Sequence, residues 1–509
     1  MLLYTNFFIE VLRSYPPDKV LLVENNKSVT AGELLLTACN LATGLSTHGV
    51  QKGHKVIIAV KPGIEFLQVM YANMMLGTIT SIIDPEMGRE NYQAKLTQFA
   101  PQHAFADSAL VFLNEHPLLK MLLLKLNKSI PSFPRIKNCS LFTTGWHLPV
   151  FQKHKRISSL LSTKHTATGF ENMPEQEEFL VTYTSGTLAE PKGVVHTYAG
   201  LASSIRQLTV LLQQNAAEII ATHLPHFALL GINAGVKVFL WNYKINAAQK
   251  ISFIIENKIT TLFGPPSDFT PLITHLSNHG EKLPACLKNI YLGSAPVYTS
   301  FLSRLIPMSD TVKITCLYGM TENLMVAWQD GRQKLLQTAQ GDLVGKPFAN
   351  VSITIEPDGE ISVHSPQLYA RYWNGEKVNG RHFTGDIGRL DSEGRIILSG
   401  RKKDMIIRGN FNIYPGLYEP TISKIPGVNE AAIIGIYNKA KSDEDVILVV
   451  DSDNNVSEAT LMNQLKQGKY SIDKEALPDK IIFMKIPHSG RQQKVNKKEL
   501  LRILNSANK

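Results

Sequence analysis

The feature that most constrains this chain is a strand–helix–strand rhythm near its start. Lys55–Val60 is short and β-branched, so it reads as a strand. Pro62 and Gly63 open a helical stretch that runs to Leu76, where Gly77 can end it. Thr78–Ile83 reads as the next strand, closed by Asp84-Pro85. Strands joined through a helix favour a parallel sheet, so the expected class is α/β. Upstream, Thr30 with Glu33 three residues on forms a capping-box pattern before an apolar run. The rhythm resumes at Glu178 and includes strand-like Ile259–Phe263 and Leu287–Leu292. Residues 351–398 turn to short alternating strands with acid-glycine turns, which predicts a β-rich subdomain. A charged, glycine-led stretch, Gly400-Arg401-Lys402-Lys403, marks an expected boundary between a large domain, 1–399, and a small α+β domain, 400–509.

Charge narrows the function. The chain of 509 residues carries a net +10, but no acidic residue lies between Glu115 and Glu171, where nine basic ones fall. The positive charge therefore belongs to one insert, 116–170, and the rest is near neutral. A nucleic-acid partner is not expected. The insert has two readings: a solvated face, or an amphipathic patch around Pro117–Asn127 that rests on anionic lipid. Cys39, Cys139, Cys286 and Cys316 are scattered, with no metal-ligand spacing, which fits reduced thiols and a cytoplasmic location. No apolar run is long enough for a membrane span, and the N-terminus does not read as a signal peptide.

The segment richest in chemistry is Tyr183-Thr184-Ser185-Gly186-Thr187-Leu188-Ala189-Glu190-Pro191-Lys192-Gly193, after the strand-like Phe179–Thr182. Its hydroxyls, glycine and lysine suit a loop around an anionic group. Glycine lets backbone N–H groups converge on phosphate oxygens, and lysine supplies charge. The spacing is not that of a Walker A loop.

With this loop the sequence resembles the adenylate-forming superfamily of acyl-CoA synthetases, firefly-type luciferases and peptide-synthetase adenylation domains, whose loop reads [YF]TSG[ST]TGxPKG. It departs at Leu188 and Ala189. Further motifs follow in the family's order. Thr222-His223-Leu224-Pro225-His226-Phe227-Ala228 resembles the LPLFH segment, with Ala228 where histidine is usual. Gly293-Ser294-Ala295-Pro296 resembles the GGAP turn, Tyr318-Gly319-Met320-Thr321-Glu322 the YGxTE motif, and Thr384-Gly385-Asp386 the TGD motif. Gly400-Arg401-Lys402-Lys403-Asp404 is similar to the hinge region. Asn412–Glu419 follows PxExE only at its ends, because Leu417 replaces the middle glutamate. Gly490-Arg491-Gln492-Gln493-Lys494 resembles the motif of the catalytic lysine, with Gln493 for glycine.

The resemblance implies a large N-terminal domain with a mobile C-terminal one, and ATP, Mg²⁺ and CoA as reactants and cofactors. It implies Lys494, Glu322 and Thr184 as catalytic, with Glu322 also holding the metal. It implies that Thr184, Ser185, Gly186, Thr187, Lys192, Gly293, Ser294, Ala295, Tyr318, Gly319, Thr321, Asp386 and Arg401 bind nucleotide. Tyr318 stacks on the purine, and Asp386 accepts the ribose hydroxyls. His226, Phe227, Ala228 and Gly231 border the acyl pocket, Lys403 is the hinge, and Gly409 lies on the CoA path. Lys497 and Lys498 read as solvated charges. The implied activity is ATP-dependent activation of a carboxylic acid, fatty or otherwise hydrophobic, then transfer to CoA or a carrier-protein thiol. Two alternatives stay open. Ala228 and Gln493 are similar to the β-lactone synthetases of olefin biosynthesis, which act on long-chain 3-hydroxy acids. Leu188, Ala189 and Leu417 fit a degenerate, non-catalytic protein that binds acyl-AMP or ATP.

Overall fold

The computed structural model describes residues 2–507 apart from 86–88, 117–132, 134–135, 137, 146–153, 162–168, 184–191, 216–217, 243, 338–339, 409–410, 439–440, 442, 453–455, 468 and 490–493; for 89, 90, 225, 226, 489, 494 and 507 it describes the backbone alone. The Pro117–Asn127 stretch, the loop residues Thr184, Ser185, Gly186 and Thr187, and Gly409 lie outside the described residues.

The early rhythm folds as α/β. The strand Lys55–Ala59 leads to the helix Ile64–Leu76, and the strand Ile79–Ile82 returns parallel to the first. Gly77 closes the helix at φ 67°, a left-handed value that glycine adopts without a Cβ clash. The helix buries nearly every residue, because it is apolar all round and lies inside the core rather than on it. Each fully buried Leu, Met or Phe contributes about 1.5–3 kcal/mol there. The Thr30–Glu33 capping box is present in both directions.

These strands belong to an eight-stranded sheet, parallel from Glu178–Tyr183 through Ile79–Ile82, Lys55–Ala59, His103–Asp107 and Ser140–Thr144 to Lys155–Arg156. Gly193–Thr197 and then Arg371–Tyr372 extend it antiparallel. A second sheet has thirteen strands. Its centre is parallel, with Ile219–Thr222, Thr261–Gly264, Asn289–Leu292 and Lys313–Met320 adjacent in that order. Its far arm is antiparallel and includes Glu360–His364, His382–Leu390 and Ile396–Arg401, the β-rich stretch expected from 351–398. Ligands of open α/β sheets bind beyond the carboxyl ends of parallel strands. Gly293–Ala295 and Gly319–Glu322 both occupy that edge.

After Arg401 the chain builds separate cores. Val428–Asn438 pairs antiparallel with Asp443–Ser452, and Lys480–Phe483 adds in parallel. Helices Pro415–Ile422 and Glu458–Lys466 pack there, with Leu417 among the partly buried apolar residues; Lys497–Ala507 packs on a neighbouring cluster. The passage between the parts is tight: a Cβ on Gly416 would meet Gly400 Cα and Ser399 O, each at 2.9 Å. Only a glycine lets the helix start approach the strand end this closely. Among the described residues no helix is long and apolar enough to cross a membrane.

Candidate active site

The strands converge on one cleft of about 2750 Å³, whose walls come from both the sheets and the segments after Arg401. The first wall is a hairpin. Lys313–Met320 turns through Thr321-Glu322 into Asn323–Asp330. Gly319 is required here, since a Cβ would lie 2.1 Å from Leu324 O. The turn presents Thr321 and Glu322 to the cleft. Glu322 is held twice: its carbonyl accepts from Tyr369 N at 2.9 Å, and its Oε1 accepts from Tyr372 Oη at 3.0 Å. Burial and then the charge of Glu322 keep the Tyr372 phenol well above its usual pKa, so it stays a donor.

Tyr318, Asp386 and Arg401 form one cluster. Tyr318 Oη donates to Asp386 Oδ2 at 2.5 Å, and Arg401 Nε lies 2.6 Å from Asp386 Oδ1. Thr384 Oγ1 accepts from Asp386 N, and Thr384 O accepts from Arg401 Nη1. Asp386 is only 3% exposed. Burial raises its carboxyl above the ordinary range, and the Arg401 charge and Tyr318 hydroxyl pull it back.

The loop after Glu178–Tyr183 is closed at its base by the pair Tyr183↔Gly193. Below it, Thr182 Oγ1 and His196 Nε2 lie 3.1 Å apart, and burial lowers His196 to about 4, so its ring is neutral. Lys192 follows the undescribed part of the loop and lines the cleft, its Nζ 5.6 Å from the Tyr372 ring centre. In the next turn, Gly293 N donates to Gly264 O, Ser294 takes φ 65°, and Ala295 lines the cleft. Lys403 lies in the short turn Lys402–Asp404, also on the cleft. Lys494 pairs through its backbone with Ser489, and the next residue, Val495, reaches the cleft.

Phe227, Ala228 and Gly231 do not line this cleft. Phe227 is 5% and Ala228 0% exposed, and a Cβ on Gly231 would lie 2.4 Å from Val238 Cγ2. They pack on the sheet through the helix Pro225–Asn233, which also carries His226. One expectation fails outright. Lys497 is not a solvated charge: its Nζ bonds Glu419 Oε1 at 2.8 Å and Ile433 O at 3.3 Å. The final helix begins at Lys497 and sets it beside Glu419, a buried carboxylate that also accepts from Ile433 N.

Sequence reasoning missed Tyr372, His382, Glu360 and Lys402. Lys402 Nζ bridges Asp358 and Glu360, at 2.6 and 2.8 Å, and Glu360 also accepts from Gly385 N. His382 faces Glu322 and Glu360, but burial holds it below its usual pKa. The only available signal was the aromatic run Tyr369–Trp373 beside a basic residue.

The donors suit a nucleotide with a hard cation. Glu322 lines the cleft, and no group of three or more His, Cys, Asp or Glu among the described residues could cage a metal alone. That fits Mg²⁺, which binds through one or two carboxylates plus substrate phosphates.

Known proteins resemble the chain in sequence and fold. The chain is 26% identical over 485 residues to a 2-succinylbenzoate–CoA ligase of Bacillus cereus, covering 90% of this chain and 92% of that one. Its fold matches the amide bond synthetase McbA from Marinactinospora thermotolerans, with TM-score 0.80 and 19% identity over 98% of this chain and 99% of that one. It also matches the o-succinylbenzoate CoA synthetase MenE of Bacillus subtilis in complex with its acyl-adenylate, with TM-score 0.77 and 20% identity over 98% of each. The model of the AMP-binding enzyme family matches residues 8–373, so the chain belongs to that family and is an AMP-forming ligase.

Proposed function

We propose that this enzyme activates a carboxylic acid as its acyl-adenylate and then transfers the acyl group to a thiol, with CoA as acceptor. The observation that carries the reading is the meeting, at one cleft, of Glu322 and of Arg401, which is bonded to Asp386 and through it to Tyr318, with Val495 from the strand of Lys494. In the first step a carboxylate oxygen bonds to the α-phosphorus of ATP and the bond to pyrophosphate breaks. Two anions must meet, so the barrier is largely electrostatic. Asp386 holds the ribose, Tyr318 covers the purine, and Arg401 steadies Asp386 at the sugar–phosphate junction. Lys192, with the loop from Thr184 to Thr187, restrains the leaving pyrophosphate. Lys494 neutralises charge at the α-phosphate. Mg²⁺, held by Glu322, supplies Lewis-acid stabilisation of the phosphate oxygens when bound.

The second step needs a different face. In this reading Lys403 is the hinge between 1–399 and 400–509, and the smaller part turns so that Lys494 leaves and Gly409 admits the thiol. The sulfur attacks the acyl carbon, AMP leaves, and a thioester forms. A hydrophobic acid rests on the family resemblance, since Phe227, Ala228 and Leu230 are packed in the core and do not line the cleft. Acid-dependent ATP–pyrophosphate exchange across fatty, 3-hydroxy, aryl and amino acids, followed by product analysis with and without CoA, tests the whole scheme. No exchange with any acid would refute adenylation. A β-lactone formed equally well without CoA would replace the thiol step with internal closure.

A further inference from the structure

Asp386 sits in a break in the sheet. Glu360 pairs with Ile387 and Ser362 with Phe383, so Ile361 alone faces Thr384, Gly385 and Asp386. The extra residues bulge out of the ladder. Bulges of this kind re-aim side chains and leave backbone groups unpaired. Here side chains take up those groups. Thr384 Oγ1 donates to Ile361 O at 2.8 Å and accepts from Asp386 N at 3.0 Å. Gly385, at φ 72°, donates its N–H to Glu360 Oε1 at 2.9 Å.

The second oxygen of Glu360 has another partner. Glu360 Oε2 accepts from Lys402 Nζ at 2.8 Å. Asp386 and Arg401 stand directly opposite each other in their pair of strands. Gly385 is the chain neighbour of the first and Lys402 of the second, so one carboxylate grips both flanks of the Asp386–Arg401 pair. Asp358 completes the arrangement: its Oδ1 accepts from Glu360 N at 3.1 Å, and its Oδ2 accepts from Lys402 Nζ at 2.6 Å. Bonds to Asp358 and then to Glu360 hold the Lys402 ammonium above its usual pKa, so it stays charged. Glu360 is 8% exposed, and a carboxylate so buried needs both partners to offset its lost hydration. A buried ion pair is a weak source of stability, because apolar residues of the same size often serve as well. What this one supplies is orientation.

We infer that Glu360 and Lys402 are positioning residues for the nucleotide: together they fix the bulge that carries Asp386 and the strand end that carries Arg401. The inference rests on the proposed hold of Asp386 on the ribose hydroxyls and deepens it. Neither side chain touches the ribose; both act through Asp386 and Arg401.

The test uses the full chain with Glu360→Gln, Lys402→Met and the double variant. Binding of ATP and of 2′,3′-dideoxy-ATP is measured by calorimetry. Glutamine keeps an acceptor for Gly385 N and loses only the charge toward Lys402. The wild type should prefer ATP, because only ATP offers Asp386 the two hydroxyls. Each single change should weaken ATP binding about tenfold, the effect of a displaced rather than a deleted partner. The dideoxy nucleotide should weaken less than about threefold, so the preference narrows. The double variant should also lose about tenfold and no more, since either change already opens the brace. In pyrophosphate exchange the KM for ATP should rise in step, with the rate at saturating ATP within about threefold. Unchanged ATP binding in the double variant overturns the inference. Equal losses for the two nucleotides do so too, because the residues would then act on phosphate or on the fold as a whole. Losses that multiply in the double variant overturn the shared brace. A wild type that binds both nucleotides alike defeats the ribose reading itself and the brace with it. If Glu360→Gln does not fold, the nucleotide preference of Lys402→Met decides alone.

Discussion

Tyr372→Phe removes one oxygen and leaves the ring, which packs 4.8 Å from that of Tyr369, in place. What is lost is the 3.0 Å bond from the phenol to Glu322 Oε1. Bonds to a charged acceptor contribute about 1.5–3 kcal/mol when buried. Glu322 is only partly buried, so water recovers some of this, and the net loss of stability is about 1 kcal/mol. In a chain of this size the melting temperature should then fall by no more than about 2 °C. The functional loss is of another kind. Freed at Oε1, Glu322 samples rotamers that point its second oxygen away from the cation, and losing such an orienting partner costs at least about tenfold in metal affinity, or 1.4 kcal/mol.

The assay is a Mg²⁺ titration of pyrophosphate exchange at saturating acid, with direct binding of Mn²⁺ and ATP followed by electron paramagnetic resonance. The apparent constants for both metals should rise about tenfold, with the rate at saturating metal changed less than threefold. The phenol keeps its proton throughout the neutral range, so the ratio between variant and wild type should not vary with pH there. A lower melting temperature with unchanged metal constants would refute the reasoning, because Tyr372 would then only support the fold.

Lys494→Ala should abolish pyrophosphate exchange yet spare thiol transfer from pre-made acyl-AMP; equal loss of both half-reactions would sink the assignment. Asp386→Asn should raise the KM for ATP about 10–100-fold, since an amide cannot accept from both ribose hydroxyls and Arg401 together. In the wild type, burial raises the Asp386 pKa, so its proton returns at a higher pH than on an ordinary carboxylate. ATP affinity should therefore fall on acidification through that raised value, and a wild-type profile identical to that of Asp386→Asn would contradict this. The same shift has a stability sign: the folded state holds the proton longer, so stability from this group is lost as pH rises from the unfolded to the folded pKa. Lys497→Met leaves Glu419 buried without its cation and should cost about 3 kcal/mol, read by calorimetry as an earlier transition; Glu419→Gln in the same chain should recover part of it.

The parts of this site that sequence could reveal are those whose chemistry is local. The helix Ile64–Leu76, its Gly77 stop and the Thr30 cap depend on residues within a few positions, and all three form as read. The hairpin Tyr318–Glu322 is equally local, because Gly319 is demanded by the Leu324 carbonyl just across the same turn. What sequence could not show is which distant groups the register brings together. Tyr372 meets Glu322 only because Arg371–Tyr372 adds to Gly193–Thr197 at the edge of one sheet while the hairpin turns inside the other. That edge strand also pairs Val194 with Tyr372, so the end of the Tyr183–Gly193 loop and the Glu322 carboxylate are tied through a single tyrosine. Lys497 shows the same limit from the other side. A lysine in a basic tail is ordinarily solvated, and nothing within ten residues of it betrays Glu419. The motifs therefore name the groups proposed to touch ATP, whereas the sheets choose the groups that hold those motifs still. Substitutions of the second kind should move metal and nucleotide constants without touching a motif residue, and Tyr372→Phe is the first of them to make.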